Sequence, residues 1–203
     1  MSRRCPVIGL VGGIGAGKSF VASCFAELGC IVSDSDAGVR ELLARPEVVA
    51  ELTSWWGGRI LREDGTLDRK VISGIVFADP EQRKRLEGLL HPMLKVRREE
   101  TVRDAARSGC PAVILDAPLL LEAGLAAECD AIVFVDASRE VRLARVAARG
   151  WDEAELDRRE NAQKSLLDKR AASGYIVVNA GDAAQTRQQV ARTLQHVLGS
   201  IAD

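Results

Sequence analysis

Near its start the chain reads Gly12-Gly13-Ile14-Gly15-Ala16-Gly17-Lys18-Ser19, which satisfies the pattern G-x-x-x-x-G-K-[ST]. An apolar run, Val7–Val11, precedes the pattern, and a helical stretch, Lys18–Leu28, follows it. In that context the glycines let the backbone curl so that successive N–H groups point at phosphate oxygens, and the helix N-terminus adds the positive end of its dipole. The alternative is a glycine-rich turn that matches the pattern by chance. The flanking strand and helix favour a nucleoside triphosphate site.

The residue types in this pattern predict the contacts to a nucleotide. Lys18 reaches the β- and γ-phosphates, and the Ser19 hydroxyl is a ligand to Mg²⁺. The residues that we expect to hold the nucleotide here are Gly13, Ile14, Gly15, Ala16, Gly17, Lys18, Ser19 and Phe20.

Short apolar runs alternate with helical stretches along most of the chain. Each run is continuous in hydrophobic residues, as expected for strands buried on both faces of a parallel sheet. A last helix begins after Asp182 and runs to about Ile201, with Gln185 as a capping-box partner. The alternation predicts a doubly wound α/β fold with a parallel five-stranded sheet. The predicted strands are Val7–Val11, Cys30–Ser33, Ala112–Asp116, Ala131–Val135 and Tyr175–Val178.

The alternation breaks between the second and third strands. From about Gly38 to Gly109 the sequence shows helical pieces, Met93–Arg107 among them, but no convincing strand. We therefore predict one domain over 1–203, with a core of 1–37, 110–150 and 174–203, a helical insertion over about 38–109 and a helical lid over about 151–173. Turns separate the helical pieces at Gly57-Gly58, Asp64-Gly65, Asp79-Pro80 and His91-Pro92.

Carboxylates follow two of the predicted strands. Asp34-Ser35-Asp36 comes after the second strand, at the edge where open α/β sheets bind ligands. A carboxylate near the γ-phosphate orients an attacking hydroxyl and accepts its proton, and if the strand continues only one of the two aspartates faces the site. We expect Asp36 to be the base and Asp34 to cap a helix, with a cap as the alternative for Asp36. Asp116 ends the third strand and is either a Mg²⁺ ligand or the cap of a turn.

A cationic helix face is predicted beside the triphosphate. Four arginines at intervals of three, three and four share one face of a helix that starts near Ser138. Such a face neutralises charge that develops during phosphoryl transfer; the alternative is a solvated face, although Glu140 is the only acid nearby. The charged segment Trp151–Arg170 follows and is typical of a mobile lid that excludes water. The four arginines are Arg139, Arg142, Arg145 and Arg149.

The composition limits the class of protein. The 203 residues carry 28 Lys+Arg against 29 Asp+Glu, and only 4% are aromatic, which argues against a protein that coats or stacks on nucleic acid. Five scattered cysteines and two histidines give poor support for a zinc site and indicate thiols in a reducing cytosol. No apolar run approaches the ~20 residues of a membrane span. The start, Met1-Ser2-Arg3-Arg4, precedes only a short apolar stretch, so we expect no signal peptide and a cytoplasmic protein.

Several runs resemble the dephospho-CoA kinase family. The opening, Ile8–Ser19, is shared with many kinases, whereas Leu89-Leu90-His91-Pro92 and Asp116–Glu122 are far more specific. The likeness covers essentially the whole chain. Further runs that match in order are Asp34-Ser35-Asp36, Asp64–Arg69 and Asn179-Ala180-Gly181.

This resemblance implies a P-loop kinase fold with a helical CoA-binding insertion and a lid. It also implies transfer of the ATP γ-phosphoryl group to the 3′-hydroxyl of the ribose of dephospho-CoA, the last step of coenzyme A synthesis. In this family's pattern Asp36 matches the candidate general base, Lys18 the loop lysine and Arg145 the arginine that contacts ATP phosphates, while Asn179 lies near the adenine. Phe20 and Ser35 depart from residues common in the family, but neither position supplies a group that the mechanism requires. The residues implied on the acceptor side are Asp36, Arg40, His91, Pro118 and Leu119.

Without the family resemblance, the residues are equally consistent with another small-metabolite or nucleoside kinase. These enzymes share the phosphate-binding pattern, the base and the arginines. A nucleotide-dependent switch is a different class, and the chain lacks the N-K-x-D run that reads guanine. We expect ATP and dephospho-CoA as small-molecule partners, Mg²⁺ as cofactor, no nucleic acid, no membrane, and a monomer or weak oligomer.

Overall fold

The structure, a computed structural model, describes residues 5–202. Met1–Arg4, on which part of the signal-peptide expectation rests, and Asp203 lie outside the described residues. The chain divides into two compact units: a sheet unit, with the residues up to Asp34 and from Thr101 onward, and a helical unit, Ser35–Glu100.

Within the described residues, five parallel strands form one sheet in the order β2-β3-β1-β4-β5. The fold class predicted from the alternating apolar runs is therefore confirmed. β1 lies in the middle because β3 pairs with one of its edges and β4 with the other. The strands are β1 Val7–Gly12, β2 Ile31–Asp34, β3 Val113–Asp116, β4 Ala131–Asp136 and β5 Tyr175–Val178.

Helices cover both faces of this sheet. All six residues of β1 are buried. The side chains of Ile8 and Leu10 belong to one buried cluster with Phe25, whereas Val7 and Val11 belong to a second cluster with Ala105. Within the described part of the chain, every helix falls short of the length or the apolar content that a membrane span requires. The helices are α1 Lys18–Glu27, α2 Ser35–Leu43, α3 Pro46–Trp56, α4 Arg69–Ala78, α5 Pro80–Ser108, α6 Arg139–Ala147, α7 Glu153–Glu160, α8 Leu166–Ala171 and α9 Ala183–Ala202.

The helical unit has its own apolar core. Leu42, Leu52 and Ile60 are fully buried there. Among the described residues of this unit no strand forms beyond a single antiparallel bridge between Leu61 and Leu67. α5 extends past Glu100, so its last turns belong to the sheet unit.

One of the predicted turns is wrong. His91 and Pro92 lie inside α5, where proline removes one hydrogen bond and its ring crowds the carbonyl four residues earlier, at a cost of about 3 kcal/mol. That earlier residue is Gly88, and the position that its side chain would occupy is open. Leu90 is buried in the core of the unit, and this packing holds the helix together across the proline. The boundary at Asp79-Pro80 is present, with Pro80 as the first residue of α5.

The cysteines are free thiols packed mainly in the interior. Cys5, Cys24 and Cys30 are buried, and Cys110 and Cys129 are partly exposed. Burial raises the pKa of the Cys5 thiol to about 11 and that of Cys30 to about 12. Because the thiolate is the reactive form, these two thiols are inert at neutral pH.

We expect a thiol reagent such as 5,5′-dithiobis(2-nitrobenzoic acid) to label two cysteines of the native protein at pH 7.5, Cys110 and Cys129. Their exposure admits the reagent, whereas the other three thiols are excluded from solvent. Denaturant should release all five. The measurement is the absorbance of the released thionitrobenzoate, with Cys110→Ser as the control that lowers the native count by one. Rapid native labelling of Cys5 or Cys30 would contradict the assignment.

Candidate nucleotide site

The carboxyl ends of β1, β2 and β3 meet at one edge of the sheet. β1 leads there into the segment Gly12–Ser19, which we call the phosphate loop. Asp116 ends β3, and its Cα is in register with Leu10 of β1 on one side and Asp34 of β2 on the other. The fold therefore brings the phosphate loop and two strand-end carboxylates, Asp34 and Asp116, to the same edge of the sheet unit.

The phosphate loop presents the N-terminus of α1 without a side-chain cap. Gly17 occupies the cap position in the left-handed conformation (φ 87°, ψ 36°), and the first turn of α1 has no acidic residue. The helix begins at Lys18, and Ser19 is exposed beside it. Backbone N–H groups at a helix N-terminus together with a lysine favour a phosphate group as the ligand.

Gly17 is required by its neighbours as well as by its backbone angles. A Cβ at this position would lie 2.2 Å from Nδ2 of Asn179 and 3.4 Å from Nη1 of Arg145. Such a contact with Asn179 is far below van der Waals distance, so no other residue fits without moving the asparagine.

We expect Gly17→Ala to lower the free energy of unfolding by about 2–5 kcal/mol, because left-handed strain and a steric overlap add. Gly124→Ala is the matched control. Gly124 is also left-handed (φ 71°, ψ 10°), yet no atom lies within 4 Å of its Cβ position, so only the strain of about 1–2 kcal/mol remains. Urea unfolding of both variants measures the difference. Equal losses would contradict the close approach of Asn179.

Arg145 and Asn179 donate hydrogen bonds to backbone carbonyl groups of the phosphate loop. Nη1 of Arg145 donates to the carbonyl oxygens of Gly15 and Ala16 at 3.3 and 3.0 Å, and Nη2 donates to the carbonyl oxygen of Asn179 at 3.0 Å. The buried amide of Asn179 donates to the same Ala16 carbonyl at 2.8 Å and accepts from the Thr186 hydroxyl. The structure thus places both sequence-predicted residues at the loop.

Arg142 is the buried arginine of α6. Its side chain is 5% exposed, and Nη1 contacts the carboxylate of Glu160, at the end of α7. The same carboxylate accepts from the N–H of Ile14, with 3.3 Å between N and Oε1. The guanidinium also packs on Gly13, where a Cβ would lie 3.0 Å from Nη1. Arg142 therefore links the phosphate loop to the lid segment.

The expectation that four arginines share one helix face is wrong for Arg149, and Arg139 has acidic partners that the neighbouring sequence did not indicate. α6 ends at Ala147, so Arg149 lies beyond the helix. Arg139 donates to Glu153 and Asp157 at 2.8 and 2.7 Å, so acids from α7 neutralise the face that had only Glu140 nearby in sequence. The signal was present in the spacing of the acids at intervals of four and three. These acids are Glu153, Asp157 and Glu160.

The chain does not continue as a strand beyond Asp34. It turns into α2 at Ser35, so the condition under which Asp34 and Asp36 would alternate along a strand is not met. Asp36 is the second residue of α2, exposed and in its first turn, whereas Asp34 directly precedes the helix. Arg40 follows four residues later on the same face of α2 and is also exposed.

The other predicted acceptor-side residues are exposed. His91 lies in the middle of α5 rather than at a helix entry, which corrects the expectation of a turn there. Pro118 and Leu119 follow β3 in a turn that Leu120 anchors by burial. Phe20, predicted to touch the nucleotide, is partly buried against the sheet core, and Arg187 lies over its ring at 5.5 Å.

A buried lysine of the lid segment escaped the sequence reasoning. Nζ of Lys169 donates to Oε1 of Gln163 at 2.6 Å and lies 3.9 Å from the carboxylate of Glu122. Desolvation lowers the pKa of this ammonium group, while Glu122 and Glu160 oppose the shift. Glu122 also accepts from the backbone N–H of Lys164 at 2.7 Å. The run Asp116–Glu122 thereby ties the lid segment to the sheet edge.

A magnesium ion fits the oxygen donors at this edge. Ser19 supplies a hydroxyl and Asp116 a carboxylate, which are the ligand types that Mg²⁺ prefers. Among the described residues no group of three or more His, Cys, Asp or Glu side chains forms a metal site. Such a set suits an ion that arrives with the nucleotide and takes most of its ligands from phosphate and water.

Comparisons with known proteins agree with this geometry. The family described as CoaE, dephospho-CoA kinase, matches residues 6–185. The dephospho-CoA kinase of Anaeromyxobacter dehalogenans is 44% identical over 178 residues, which cover 86% of this chain and 84% of that protein. A crystal structure from Thermus thermophilus has 31% identity and a TM-score of 0.81 over 96% of this chain and 98% of that one. The dephospho-CoA kinase from Campylobacter jejuni shares the fold, with 21% identity and a TM-score of 0.63 over 94% and 96% of the two chains. The chain with this phosphate loop thus belongs to the dephospho-CoA kinase family and is a kinase.

Proposed function

We propose that this chain transfers the γ-phosphoryl group of ATP to the 3′-hydroxyl of the ribose of dephospho-CoA, giving coenzyme A and ADP. The observation that carries the proposal is the phosphate loop, with an uncapped helix N-terminus that begins at Lys18, at the sheet edge where β3 ends with Asp116, in a chain of this family. The runs Leu89–Pro92 and Asp116–Glu122 support dephospho-CoA as the acceptor rather than another small metabolite.

The phosphate loop supplies the electrostatic part of catalysis. Its backbone N–H groups and the ammonium of Lys18 hold the β- and γ-phosphates, and Arg145 keeps the loop in shape through the carbonyls of Gly15 and Ala16. Charge on the phosphoryl oxygens and the leaving oxygen then develops against fixed positive groups, so little reorganisation is needed in the transition state.

Asp36 acts as the general base in this proposal. The 3′-oxygen forms a bond to the γ-phosphorus, the bond from that phosphorus to the β,γ-bridging oxygen breaks, and the hydroxyl proton passes to the Asp36 carboxylate. The support is chain position and exposure: Asp36 lies two residues beyond the end of β2, in the first turn of α2. Arg40, one turn later in α2, is the cation that we propose for contact with an anionic acceptor.

Mg²⁺ is the cofactor that we propose, held by Ser19 and, directly or through water, by Asp116. When bound, the ion neutralises phosphate charge and orients the β- and γ-phosphates for in-line transfer. The residues of this chain provide one hydroxyl and one carboxylate for it, and the position of Asp116 at the sheet edge suits that role.

We also propose roles for the two segments outside the sheet. The helical unit, Ser35–Glu100, overlaps the predicted insertion of about 38–109 and receives the acceptor, and the lid of about 151–173, which contains α7 and α8, excludes water during transfer. Five free thiols support a reducing compartment such as the cytoplasm as the place of action. The oligomeric expectation, a monomer or weak oligomer, stays a prediction.

A coupled ADP-release assay with Mg·ATP tests the function. Dephospho-CoA, adenosine, shikimate, gluconate and no acceptor are compared under the same conditions. We expect turnover with dephospho-CoA alone and a product heavier by one phosphate. Turnover confined to a different acceptor would overturn the acceptor assignment and leave the kinase mechanism. Slow hydrolysis of ATP at the same rate with and without every acceptor would overturn the proposed transfer.

A further inference from the structure

The lid segment places one of its own carboxylates on the phosphate loop. Oε1 of Glu160, the last residue of α7, accepts from the N–H of Ile14 at 3.3 Å and from Nη1 of Arg142. Ile14 is the third residue of the phosphate-binding pattern, and its N–H is one of the loop groups that we expect to bind phosphate oxygens. The Glu160 carboxylate therefore occupies the Ile14 N–H, a donor that we also expect a nucleotide phosphate to bind.

The guanidinium beside this carboxylate is incompletely satisfied. Arg142 is buried, and its Nε is the one buried side-chain donor without a hydrogen-bond partner among the described residues. Besides Glu160, the acceptor that its Nη1 reaches within residues 5–202 is the carbonyl oxygen of Ile14, at 3.5 Å. A buried cation with an unpaired donor costs free energy. An additional anionic oxygen that accepts from this guanidinium would therefore stabilise it.

We propose that Glu160 is an internal competitor of the nucleotide. It occupies the Ile14 N–H and the Arg142 guanidinium in the nucleotide-free enzyme, and a phosphate group of ATP displaces it. This inference rests on the proposed binding of ATP at the phosphate loop. Displacement releases the C-terminal end of α7 from the loop, so nucleotide binding and movement of the lid segment are one event, and Arg142 becomes a phosphate contact.

The alternative is that Glu160 is only a brace that keeps the phosphate loop in shape. The two roles predict opposite effects of removing its charge. A competitor lowers the apparent affinity for ATP by the fraction of enzyme in which it occupies the loop, so its neutralisation tightens binding. A brace holds the binding-competent shape, so its loss weakens binding.

Glu160→Gln keeps the size of the side chain and an oxygen that accepts from Ile14, but it removes the charge. We expect its Kd for ATP, measured by isothermal titration calorimetry, to fall by about 3- to 10-fold. The matched control is Glu153→Gln on the same helix, which makes the same charge change at a residue paired with Arg139, away from the loop. Its Kd should equal that of the wild type. An unchanged or higher Kd in Glu160→Gln overturns the proposal.

Inorganic tripolyphosphate separates the phosphate from the adenine. Because the competition concerns phosphate oxygens, the same tightening should appear with tripolyphosphate as with ATP. A gain for ATP without any gain for tripolyphosphate overturns the competition at the Ile14 N–H. Failure of wild-type protein to bind ATP at all overturns the proposed function together with this inference, whereas equal ATP binding by wild type and both variants overturns the inference alone.

A second measurement uses the unaltered protein. Trp151 lies shortly before α7, and the guanidinium of Arg159 stacks on its ring with Cζ 4.1 Å from the ring centre. Release of the end of α7 changes this stacking, so saturating ATP should change the tryptophan emission of wild type but not that of Trp151→Phe. Equal responses of the two proteins, or no response of either, overturn the movement of α7.

Discussion

Lys18→Ala should abolish phosphoryl transfer, with kcat reduced by at least about 10³-fold. Lys18 is the first residue of α1, directly beyond the glycine that caps the helix. Its ammonium interacts more strongly with the phosphoryl oxygens as charge moves toward the leaving group, so its removal costs more in the transition state than in the ATP complex. Single-turnover transfer from labelled ATP to dephospho-CoA measures the loss.

Lys84→Ala is the control for that experiment. Lys84 is an exposed lysine of α5, three residues from Glu81 on a surface turn, and its loss should leave kcat and the Km for ATP unchanged. Near-normal kcat in Lys18→Ala would exclude the phosphate loop as the site of transfer. A circular dichroism spectrum and melting temperature close to wild type show that the loss reflects chemistry rather than unfolding.

Asp36→Asn should lower kcat by about 10²–10⁴-fold with little change in the Kd for ATP. The amide preserves the shape of the side chain but accepts no proton at the pH of the assay. The proposed role concerns the acceptor hydroxyl and not ATP. The steady-state rate with dephospho-CoA should therefore fall, while the Kd for ATP measured by calorimetry stays close to that of the wild type. A fall in both together would point to a disturbed nucleotide site instead.

The alternative role of Asp36 is electrostatic support of its own helix. An acid in the first turn stabilises α2 through the helix dipole, typically by 0.3–1 kcal/mol. Glu47→Gln is the matched control, since Glu47 is the acid in the first turn of the neighbouring helix α3. A lower melting temperature in both variants with kcat intact in both would assign Asp36 to the helix and remove the base from the mechanism.

The sequence predicted the parts of this molecule that depend on local pattern. Continuous apolar runs predicted all five strands of the described sheet to within one residue at their ends, and Tyr175–Val178 matched at both ends. The phosphate loop was recognisable because glycine spacing, lysine and serine are adjacent in the chain. The cap of α9 by Asp182 was also local, and its carboxylate accepts from Ala184 and Gln185.

Features that depend on tertiary packing were missed. Pro92 was interpreted as a turn because proline is unfavourable in helices, yet packing around Leu90 keeps α5 continuous. Four arginines were predicted to share one cationic helix face, but the acidic partners of Arg139 and Arg142 come from a separate helix, 14 to 18 residues later in the chain. The acids of the next charged segment, Glu153, Asp157 and Glu160, recur at helical spacing like the arginines. Comparing the two patterns would have predicted the ion pairs between these helices.

The central position of β1 has a consequence for how the enzyme loses activity. Its amides are hydrogen-bonded on both edges, to β3 and β4, and its six residues are shielded from water, so proton exchange with solvent there requires the opening of the whole sheet. The phosphate loop emerges directly from this strand and is therefore anchored in the slowest-exchanging part of the sheet unit. Fluctuations that open the lid segment or fray α9 leave that anchor intact. The geometry around the phosphates therefore persists until the sheet unit unfolds as a whole, and we expect the loss of ATP binding in denaturant to coincide with the unfolding of that unit.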